Sequence, residues 1–312
     1  MLQHERRHPS SEHRHDGVMT SPARAAARTS FAPARVGRPD YDPTHFLLTM
    51  LWSADPAVVR QADEAGVDRI GLDLEVIGKA ERQKNLPTWV SQHHESQLPA
   101  LRAVLRRGQL FCRTNPIHEG SKREIDRLIE HGVEVLMLPF FRTVEEPQRF
   151  ADLVASRATT VLLVEHCDAA RKIEQLVRIP GVDEIHVGLT DLSLSLKVPN
   201  RFALMASPLV ERIAQVVRAS GMRFAVGGIG RAMDDSQPIP TDLIYSQYHR
   251  LGATGALISR AFFPGDGKAG SLDVATEIRR CRERMEHWRT RSADELQVAK
   301  DRLIQTVGSC KL

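Results

Sequence analysis

The chain has few cysteines and no long apolar run. Its four cysteines, Cys112, Cys167, Cys281 and Cys310, stand in no CxxC or other spacing typical of a metal site or a disulfide framework, so we expect them to be reduced and structural. No stretch approaches the ~20 consecutive apolar residues that a membrane span needs. No apolar segment typical of a secretory leader precedes the predicted domain. These absences predict a cytoplasmic protein that does not insert into a membrane.

The chain also lacks a strong charge of either sign. Its formal net charge is +4, and residues 1–40 supply most of that excess because they contain seven arginines and four acidic residues. The remaining residues are close to neutral, which gives no indication of nucleic-acid binding. Residues 1–40 are rich in Pro, Ser and Ala and have almost no apolar periodicity. They predict a disordered tail rather than a transit peptide.

Eight short apolar runs alternate with longer amphipathic segments, which is typical of a parallel sheet wrapped by helices. Eight such units in roughly 250 residues favour a (β/α)8 TIM barrel, an α/β fold, over a doubly wound open sheet. We place this barrel at residues 41–270. The predicted strands are Phe46–Trp52, Arg69–Leu74, Gln109–Asn115, Val135–Phe140, Thr160–Glu165, Glu184–Thr190, Arg223–Ile229 and Gly255–Arg260.

Residues 271–312 predict a C-terminal helical extension. From Leu272 to about Leu303 the pattern indicates one long charged helix whose apolar residues share a face: Ile278, Cys281, Met285 and Trp288. A barrel needs only part of this length. We expect the rest either to pack against another subunit of a homo-oligomer or to form a solvated extension.

Three polar residues stand at the ends of predicted strands, namely Arg113, Glu165 and Asp191. In a (β/α)8 barrel the carboxyl ends of the strands meet at one rim, where the chemistry takes place. Two carboxylates with room for water and substrate suit a hard divalent ion such as Mg²⁺ or Mn²⁺. Glu165 and Asp191 are therefore candidate metal ligands. The alternative is that each caps the helix that follows it.

Arg113 would either hold a substrate carboxylate, stabilise an oxyanion, or form a structural salt bridge with Asp73 or Glu75. Asp73 and Glu75 alternate with Leu72 and Leu74, so both acidic side chains should point to the same face. We expect them to organise Arg113 or a metal-bound water rather than to bind metal directly. Arg113 and Glu75 are our candidate catalytic residues.

The positions of the lysines argue against a Schiff-base mechanism. No lysine lies within a predicted strand or immediately at its end. A Schiff-base enzyme needs a desolvated lysine whose amine is uncharged. The pattern therefore favours metal-dependent chemistry.

Five segments carry a resemblance to a known family: AGVDRIGLDLE followed by Lys79 and Arg82, then FCRTNP, VLMLPF, LLVEH and GVDEIHVGLTDLSLSL. Over about residues 45–265 the chain resembles the HpcH/HpaI aldolase and citrate lyase beta-subunit family of metal-dependent carbon–carbon lyases. The resemblance implies a (β/α)8 barrel that binds Mg²⁺, Mn²⁺ or Co²⁺ through Glu165 and Asp191. It also implies that Arg113 faces the substrate's 2-oxo group.

The same resemblance implies that four backbone amides, those of Gly188, Leu189, Thr190 and Asp191, receive the substrate carboxylate. The expected activity is that of an aldolase or lyase that forms or cleaves a C–C bond through the enolate of a 2-oxo acid such as pyruvate or oxaloacetate. An aldehyde or acyl compound would be the second substrate. The alternatives are a CoA-thioester lyase or citrate-synthase-like enzyme on the same metal site, and a non-catalytic barrel that binds a carboxylate.

The general base departs from the family pattern. In the pyruvate-aldolase branch a histidine closely follows the second-strand acidic motif, whereas this chain reads LDLEVIGKAERQ there, nearer the citrate-lyase branch. Histidines are suited to proton transfer near neutral pH. The candidates are His93, His94, His118 and His166, each with the alternative of a surface or helix-start residue.

Glycine-rich turns after the last two predicted strands raise the question of a phosphate site. Backbone N–H groups at this position of a barrel commonly hold phosphate. Gly227, Gly228 and Arg231, with Arg260 after the last strand, are candidates for binding a phosphorylated substrate or the phosphates of CoA. The alternative is that the glycines only allow tight turns.

Overall fold

In the computed structural model, which describes residues 45–50, 53–82, 92–234, 236–263 and 272–309, eight parallel strands close into a barrel in chain order. Each strand pairs with its sequence neighbours, and the first pairs with the last. The strands are β1 (Leu47–Met50), β2 (Arg69–Asp73), β3 (Gln109–Arg113), β4 (Val135–Leu138), β5 (Thr159–Val164), β6 (Glu184–Val187), β7 (Arg223–Ile229) and β8 (Gly255–Ile258). The predicted TIM barrel is confirmed. The predicted tail, residues 1–40, lies outside the described residues.

Helices surround the sheet and bury its outer face. They are α1 (Pro56–Glu64), α2 (Lys79–Arg82), α3 (Leu98–Val104), α4 (Ser121–Glu130), α5 (Glu145–Val154), α6 (Cys167–Ala170), α7 (Ile173–Leu176), α8 (Leu189–Leu196), α9 (Pro208–Ala219), α10 (Thr241–Leu251), α11 (Val274–Arg289) and α12 (Ala293–Ser309). The described residues also form short 3₁₀ segments at Glu95–Gln97, Arg201–Ala206 and Arg260–Phe262. Among the helices described, none is both long and apolar enough to cross a bilayer.

The pleat of the strands decides which side chains reach the barrel mouth. Phe111 of β3 and Leu163 of β5 belong to a cluster inside the barrel, whereas Leu110 and Cys112 pack outward against the helices. Side chains two residues apart on a strand point to the same face. Arg113 and Glu165 follow Phe111 and Leu163 by two residues, so they point inward at the carboxyl ends of their strands.

Two predicted strands end earlier than expected, and each end matters for the site. The predicted strand Glu184–Thr190 stops at Val187, because Gly188 is the N-cap of α8 and the chain turns into a helix there. The predicted strand Val135–Phe140 stops at Leu138. Pro139 has no N–H to donate to the sheet, and Phe140 adopts a left-handed backbone with φ of 43°.

The predicted single C-terminal helix is two helices, α11 and α12. Ser292 and Glu295 form a reciprocal cap at the break: the Glu295 N–H donates to Ser292 Oγ at 3.2 Å, and the Ser292 N–H donates to Glu295 Oε2 at 2.9 Å. The sequence S-A-D-E at residues 292–295 has the pattern of a capping box, which marks the start of a helix. A new helix therefore begins here, although the charge pattern predicted that the first one continues. The predicted apolar face of α11 is buried as expected, at Ile278, Cys281, Met285 and Trp288.

Both C-terminal helices pack on this chain's own barrel. Arg282 of α11 donates to the carbonyl oxygens of Phe46 and Gly66 and pairs with Asp68 at 3.0 Å, so α11 lies beside β1. Helix α12 packs along α10. Its Lys300 pairs with Glu211 of α9 at 2.5 Å. Assembly into a homo-oligomer stays a prediction.

The amino end of the barrel is closed by a buried ion pair. Arg69 of β2 donates from both terminal nitrogens to the two oxygens of Glu184 on β6, each at 2.6 Å, and from Nε to Gln109 Oε1 at 3.1 Å. Burial would lower the pKa of Arg69, but the Glu184 carboxylate raises it. The pair is thus a fixed cross-link between strands on opposite sides of the barrel.

We expect Arg69→Met to lower the free energy of unfolding by about 3–5 kcal/mol, because it leaves the carboxylate of Glu184 charged and without its partner. Urea denaturation followed by circular dichroism measures the change. The double variant Arg69→Met/Glu184→Leu should recover much of the loss. Lys122→Met, which removes an exposed pair with Asp126, is the control and should change little. Equal effects of the single changes at Arg69 and Lys122 would contradict this account.

Candidate active site

The site is built around a bidentate ion pair between Arg113 and Asp73. Arg113 donates from Nε to Asp73 Oδ1 at 2.9 Å and from Nη2 to Asp73 Oδ2 at 2.7 Å. Burial by itself would raise the pKa of Asp73, but Arg113 and Lys79 outweigh it and the pKa falls below its ordinary value. The same pair raises the pKa of Arg113 against the effect of burial. Both groups are therefore charged at all relevant pH values.

The predicted alternative for Arg113, a salt bridge to Asp73 or Glu75, is thus present, and it involves both residues. Arg113 Nη2 also lies 3.5 Å from Glu75 Oε2. The two acidic side chains share a face, as their alternation predicted, and both are buried. Their position organises Arg113, whereas a direct catalytic role for Glu75 stays a prediction.

Two further cations, Lys79 and Arg82, enter the site from α2. Lys79 Nζ lies 2.5 Å from Asp73 Oδ2 and 3.6 Å from Glu75 Oε2, and its side chain is buried. Arg82 Nη2 donates to Glu75 Oε1, and its Nε lies 3.7 Å from Asp191 Oδ1. The sequence motif contained both residues, but strand-end reasoning assigned neither of them a place in the site.

Lys79 bears on the argument against a Schiff base. The sequence argument relied on the absence of lysines at strand ends, yet this buried lysine reaches the site from a short helix six residues beyond Asp73. Its Nζ lies between the carboxylates of Asp73 and Glu75, so this lysine is part of the ion-pair cluster around Arg113.

Glu165 lies across the mouth from this cluster. Its Oε1 accepts the Phe140 N–H at 3.0 Å. Burial raises the pKa of Glu165 well above its ordinary value, and the nearby carboxylates of Glu75 and Asp191 raise it further, against weaker effects of Arg113 and Arg82. Negative charge at Glu165 is therefore costly without an added cation.

Gly188 leaves the space that Glu165 occupies. A Cβ atom on Gly188 would lie 2.8 Å from Glu165 Oε2 and 2.9 Å from Glu165 Cβ, which is closer than side chains tolerate. Any other residue here would displace the carboxylate. The close approach of Glu165 thus explains why the residue before α8 has no Cβ atom.

Asp191 lies in the first turn of α8, not at the end of a strand, and its side chain is buried at the site. The Gly188 N–H donates to the Val164 carbonyl at 3.0 Å, so this amide belongs to the sheet. Leu189 and Thr190 are the first residues of α8, where an α-helix supplies no acceptor for its own N–H groups. Binding of the substrate carboxylate by residues 188–191 stays a prediction.

The four candidate histidines hold structural positions. His94 caps the 3₁₀ turn at Glu95–Gln97, and His166 caps α6. His118 precedes α4 and lies 3.1 Å from Glu124 Oε2 through its Nε2. The Nδ1 atom of His93 accepts the Asp73 N–H at 3.1 Å, so this histidine contacts the ion-pair cluster. None of these contacts singles out a general base.

Residues 166–168 bring three potential metal-binding side chains together. Within the described part of the chain, only His166, Cys167 and Asp168 form a group of three whose ligand atoms all lie within 4.8 Å of one another. The Nδ1 atom of His166 accepts the Asp168 N–H at 3.2 Å, which is the helix cap. This closeness follows from their adjacency in sequence. Cys112, Cys167 and Cys281 are free, as predicted.

Gly227 and Gly228 lie within β7, at an irregularity in its pairing with β8, and not in a turn after the strand as predicted. Close packing accounts for both glycines. Gly227 has φ of +57°, and a Cβ there would lie 2.6 Å from Leu189 Cδ1. A Cβ on Gly228 would lie 3.1 Å from Ser259 Cβ. Arg231 donates from Nη2 to Asp234 Oδ2 at 2.9 Å. Binding of phosphate or CoA by Gly227, Gly228 and Arg231 stays a prediction.

Solved structures of similar fold include the following three. An HpcH/HpaI aldolase from Desulfitobacterium hafniense DCB-2 has 17% identity over 69% of this chain and 86% of that chain, with a TM-score of 0.51. An HpcH/HpaI aldolase/citrate lyase family protein from Burkholderia cenocepacia J2315 has 15% identity over 79% and 96%, with a TM-score of 0.55. The citrate synthase SbnG has 16% identity over 69% and 86%, with a TM-score of 0.52.

The fold is that of the HpcH/HpaI aldolase and citrate lyase structures. At the level of the fold, the resemblance drawn from the sequence motifs is confirmed. A curated relative, the 4-hydroxy-4-methyl-2-oxoglutarate aldolase of Chaetomium globosum, is 29% identical over 76 residues, which is 24% of this chain. The match covers 28% of that relative's length, so it spans little more than a quarter of the relative. No family model matches the chain.

We expect Gly188→Ala to weaken Mn²⁺ binding by about 10–100-fold, the range seen when a metal ligand is misoriented. The added Cβ would push Glu165 away from its position beside Asp191. Isothermal titration calorimetry with Mn²⁺ measures the affinity. Gly230→Ala is the matched control, because a Cβ there meets only Ala261 Cβ at 3.9 Å. Unchanged affinity in Gly188→Ala would show that Glu165 is not a ligand.

Proposed function

We propose that this chain is a divalent-metal-dependent carbon–carbon lyase, of class II aldolase type, that acts on a 2-oxo acid. The observation that carries the proposal is the burial of three carboxylates, those of Glu75, Glu165 and Asp191, at the same rim as the guanidinium of Arg113. Their proximity, with burial, raises the pKa of Glu165. A cluster of buried carboxylates that resists full ionisation is a natural cation site, and the guanidinium supplies a second positive charge for the substrate.

The donor set fits a hard divalent ion. Glu165 and Asp191 offer carboxylate oxygens, the ligand type that Mg²⁺ and Mn²⁺ prefer, and such ions commonly take one or two protein carboxylates and keep several waters. A third close protein ligand is therefore not needed. A bound ion would act as a Lewis acid toward the 2-oxo acid. Asp73 is an unfavourable ligand, because Arg113 and Lys79 already occupy its oxygens.

Arg113 would face the substrate with its remaining edge. Asp73 accepts from Nε and Nη2, so Nη1 is the nitrogen left for an oxygen of the substrate. The ion pair fixes the guanidinium before substrate arrives, and a preorganised cation stabilises developing negative charge without a cost of reorientation. The opening amides of α8, with the positive end of the helix dipole, would receive the carboxylate.

The names of the similar proteins agree with this chemistry without fixing the second substrate. Aldolases and a citrate synthase share this fold, and the curated relative is named a 4-hydroxy-4-methyl-2-oxoglutarate aldolase. We infer pyruvate or oxaloacetate as the enolate-forming substrate class and an aldehyde or acyl compound as its partner. A CoA-dependent condensation and a non-catalytic carboxylate-binding barrel are the competing outcomes of the test.

The test is metal-restored turnover. We expect chelator-treated protein to lack oxaloacetate decarboxylation and pyruvate C3 proton exchange, and to regain both with Mg²⁺ or Mn²⁺. Glu165→Gln should lower the restored rate by about 10²-fold or more, since it removes one charge on which the electrostatics of the site depend. Glu119→Gln, an exposed glutamate in the loop after β3, is the control and should retain the wild-type rate.

Folded protein with no turnover under any of these metals would overturn the 2-oxo acid proposal. Turnover that appears only with a CoA thioester would favour the condensing-enzyme alternative. Binding of pyruvate without turnover in either assay would favour the non-catalytic barrel.

Metal affinity should depend on pH through Glu165. Below the raised pKa the carboxyl is protonated, and metal binding must release that proton, so we expect Mn²⁺ affinity to increase about tenfold per pH unit. Above the raised pKa the affinity should level off. Calorimetry in two buffers of different ionisation enthalpy measures the proton released. Glu165→Gln should bind weakly and lose this pH dependence, and a pH-independent wild type would contradict the assignment.

A further inference from the structure

Arg82 contacts three separate elements of the site. Its Nη2 donates to Glu75 after β2, its Nε lies 3.7 Å from Asp191 Oδ1 in α8, and its guanidinium carbon lies 3.7 Å from the centroid of the Phe140 ring after β4. The last distance is well within the ~6 Å of a cation–π contact. A lysine has a single charged nitrogen and could not make these three contacts together.

Phe140 contacts both Glu165 and Arg82. Its N–H donates to Glu165 Oε1 at 3.0 Å while its ring lies under Arg82. The His166 ring packs edge-on against it, with centroids 5.7 Å apart. One residue thus orients Glu165 through its backbone and Arg82 through its side chain.

The backbone of Phe140 is strained in a way that serves this arrangement. Its φ of 43° lies in the left-handed region, which a bulky residue enters only at a cost in free energy. Such conformations persist where the surroundings impose them, most often at functional sites. Here the left-handed turn directs the N–H at Glu165 immediately after β4 ends.

We propose that Arg82 and Phe140 act together as a positioning pair, which fixes Asp191 and Glu165 in the orientation that binds the divalent ion. Arg82 acts on Asp191, Phe140 acts on Glu165, and the stacked guanidinium and ring couple the two. Neither residue is proposed to touch the substrate. The inference rests on the metal site of the proposed function.

Charge alone predicts the opposite effect at Arg82, which makes the proposal testable. A positive charge near Asp191 repels an incoming cation, so a residue that only neutralised charge would weaken metal binding by its presence. Removing it would then strengthen binding. A positioning residue has the reverse effect, because its loss leaves the carboxylates free to turn away.

The experiment measures Mn²⁺ affinity by calorimetry in Arg82→Lys, Arg82→Met, Phe140→Leu and the double variant Arg82→Lys/Phe140→Leu. Arg82→Lys keeps the positive charge but loses the several guanidinium nitrogens and the flat face that stacks on Phe140. We therefore expect Mn²⁺ binding to be about 10–100-fold weaker. Phe140→Leu keeps an apolar side chain and the N–H but loses the ring face, and it should also weaken binding. Because the two act through one contact, the double variant should be weaker by clearly less than the product of the single effects.

Arg142→Met is the matched control, since its exposed guanidinium lies farther from the same ring, at 5.4 Å. It should bind Mn²⁺ as the wild type does. Circular dichroism and thermal melting of the metal-free variants must match the wild type, so that a loss of affinity reports orientation and not unfolding.

Tighter Mn²⁺ binding in Arg82→Met, wild-type binding in Arg82→Lys, or strictly multiplicative effects in the double variant would overturn the positioning pair. These outcomes are distinct from failure of the proposed function. In that case the wild-type protein either binds no Mn²⁺, which overturns both, or binds it and turns over no 2-oxo acid, which leaves the positioning pair standing.

Discussion

The buried pair of Asp73 and Arg113 is the interaction on which the rest of the site depends. A guanidinium and a carboxylate taken out of water are costly unless each finds a partner of good geometry, and here two parallel hydrogen bonds supply it. The pair joins the ends of β2 and β3. With Lys79 it neutralises this half of the mouth from within, so the charges here need no bound ion.

The other half of the mouth is balanced differently. Glu165 is held by a backbone N–H, and its pKa is raised where that of Asp73 is lowered. The two halves of the barrel mouth therefore have different roles. One presents a fixed cation, and the other presents carboxylates that a divalent ion would stabilise. The ion pair of Arg69 with Glu184 at the amino end offers a contrast, because both oxygens of its carboxylate are satisfied within the protein and the pair fits a purely structural role.

Local periodicity was sufficient to predict the barrel and part of the site. Alternation along β3 and β5 determines the inward direction of Arg113 and Glu165, so their convergence was readable from residue order. Lys79 and Arg82 come from a short helix beyond β2, and no strand or helix period specifies the path of that segment. The break between α11 and α12 was encoded in the Ser292–Glu295 capping box, which the charge pattern of the longer stretch obscured.

The end of β4 shows why the remaining part of the site depends on tertiary structure. Pro139 predicts that the strand stops, but no local signal predicts that Phe140, a bulky residue, enters the left-handed region. That conformation is retained because Glu165 and His166, which follow β5, and Arg82 of α2 all contact the residue. Strain at one position is thus offset by contacts that exist only in the folded barrel. The orientation of Glu165 is accordingly a property of the assembled fold, while its identity and direction are properties of the strand.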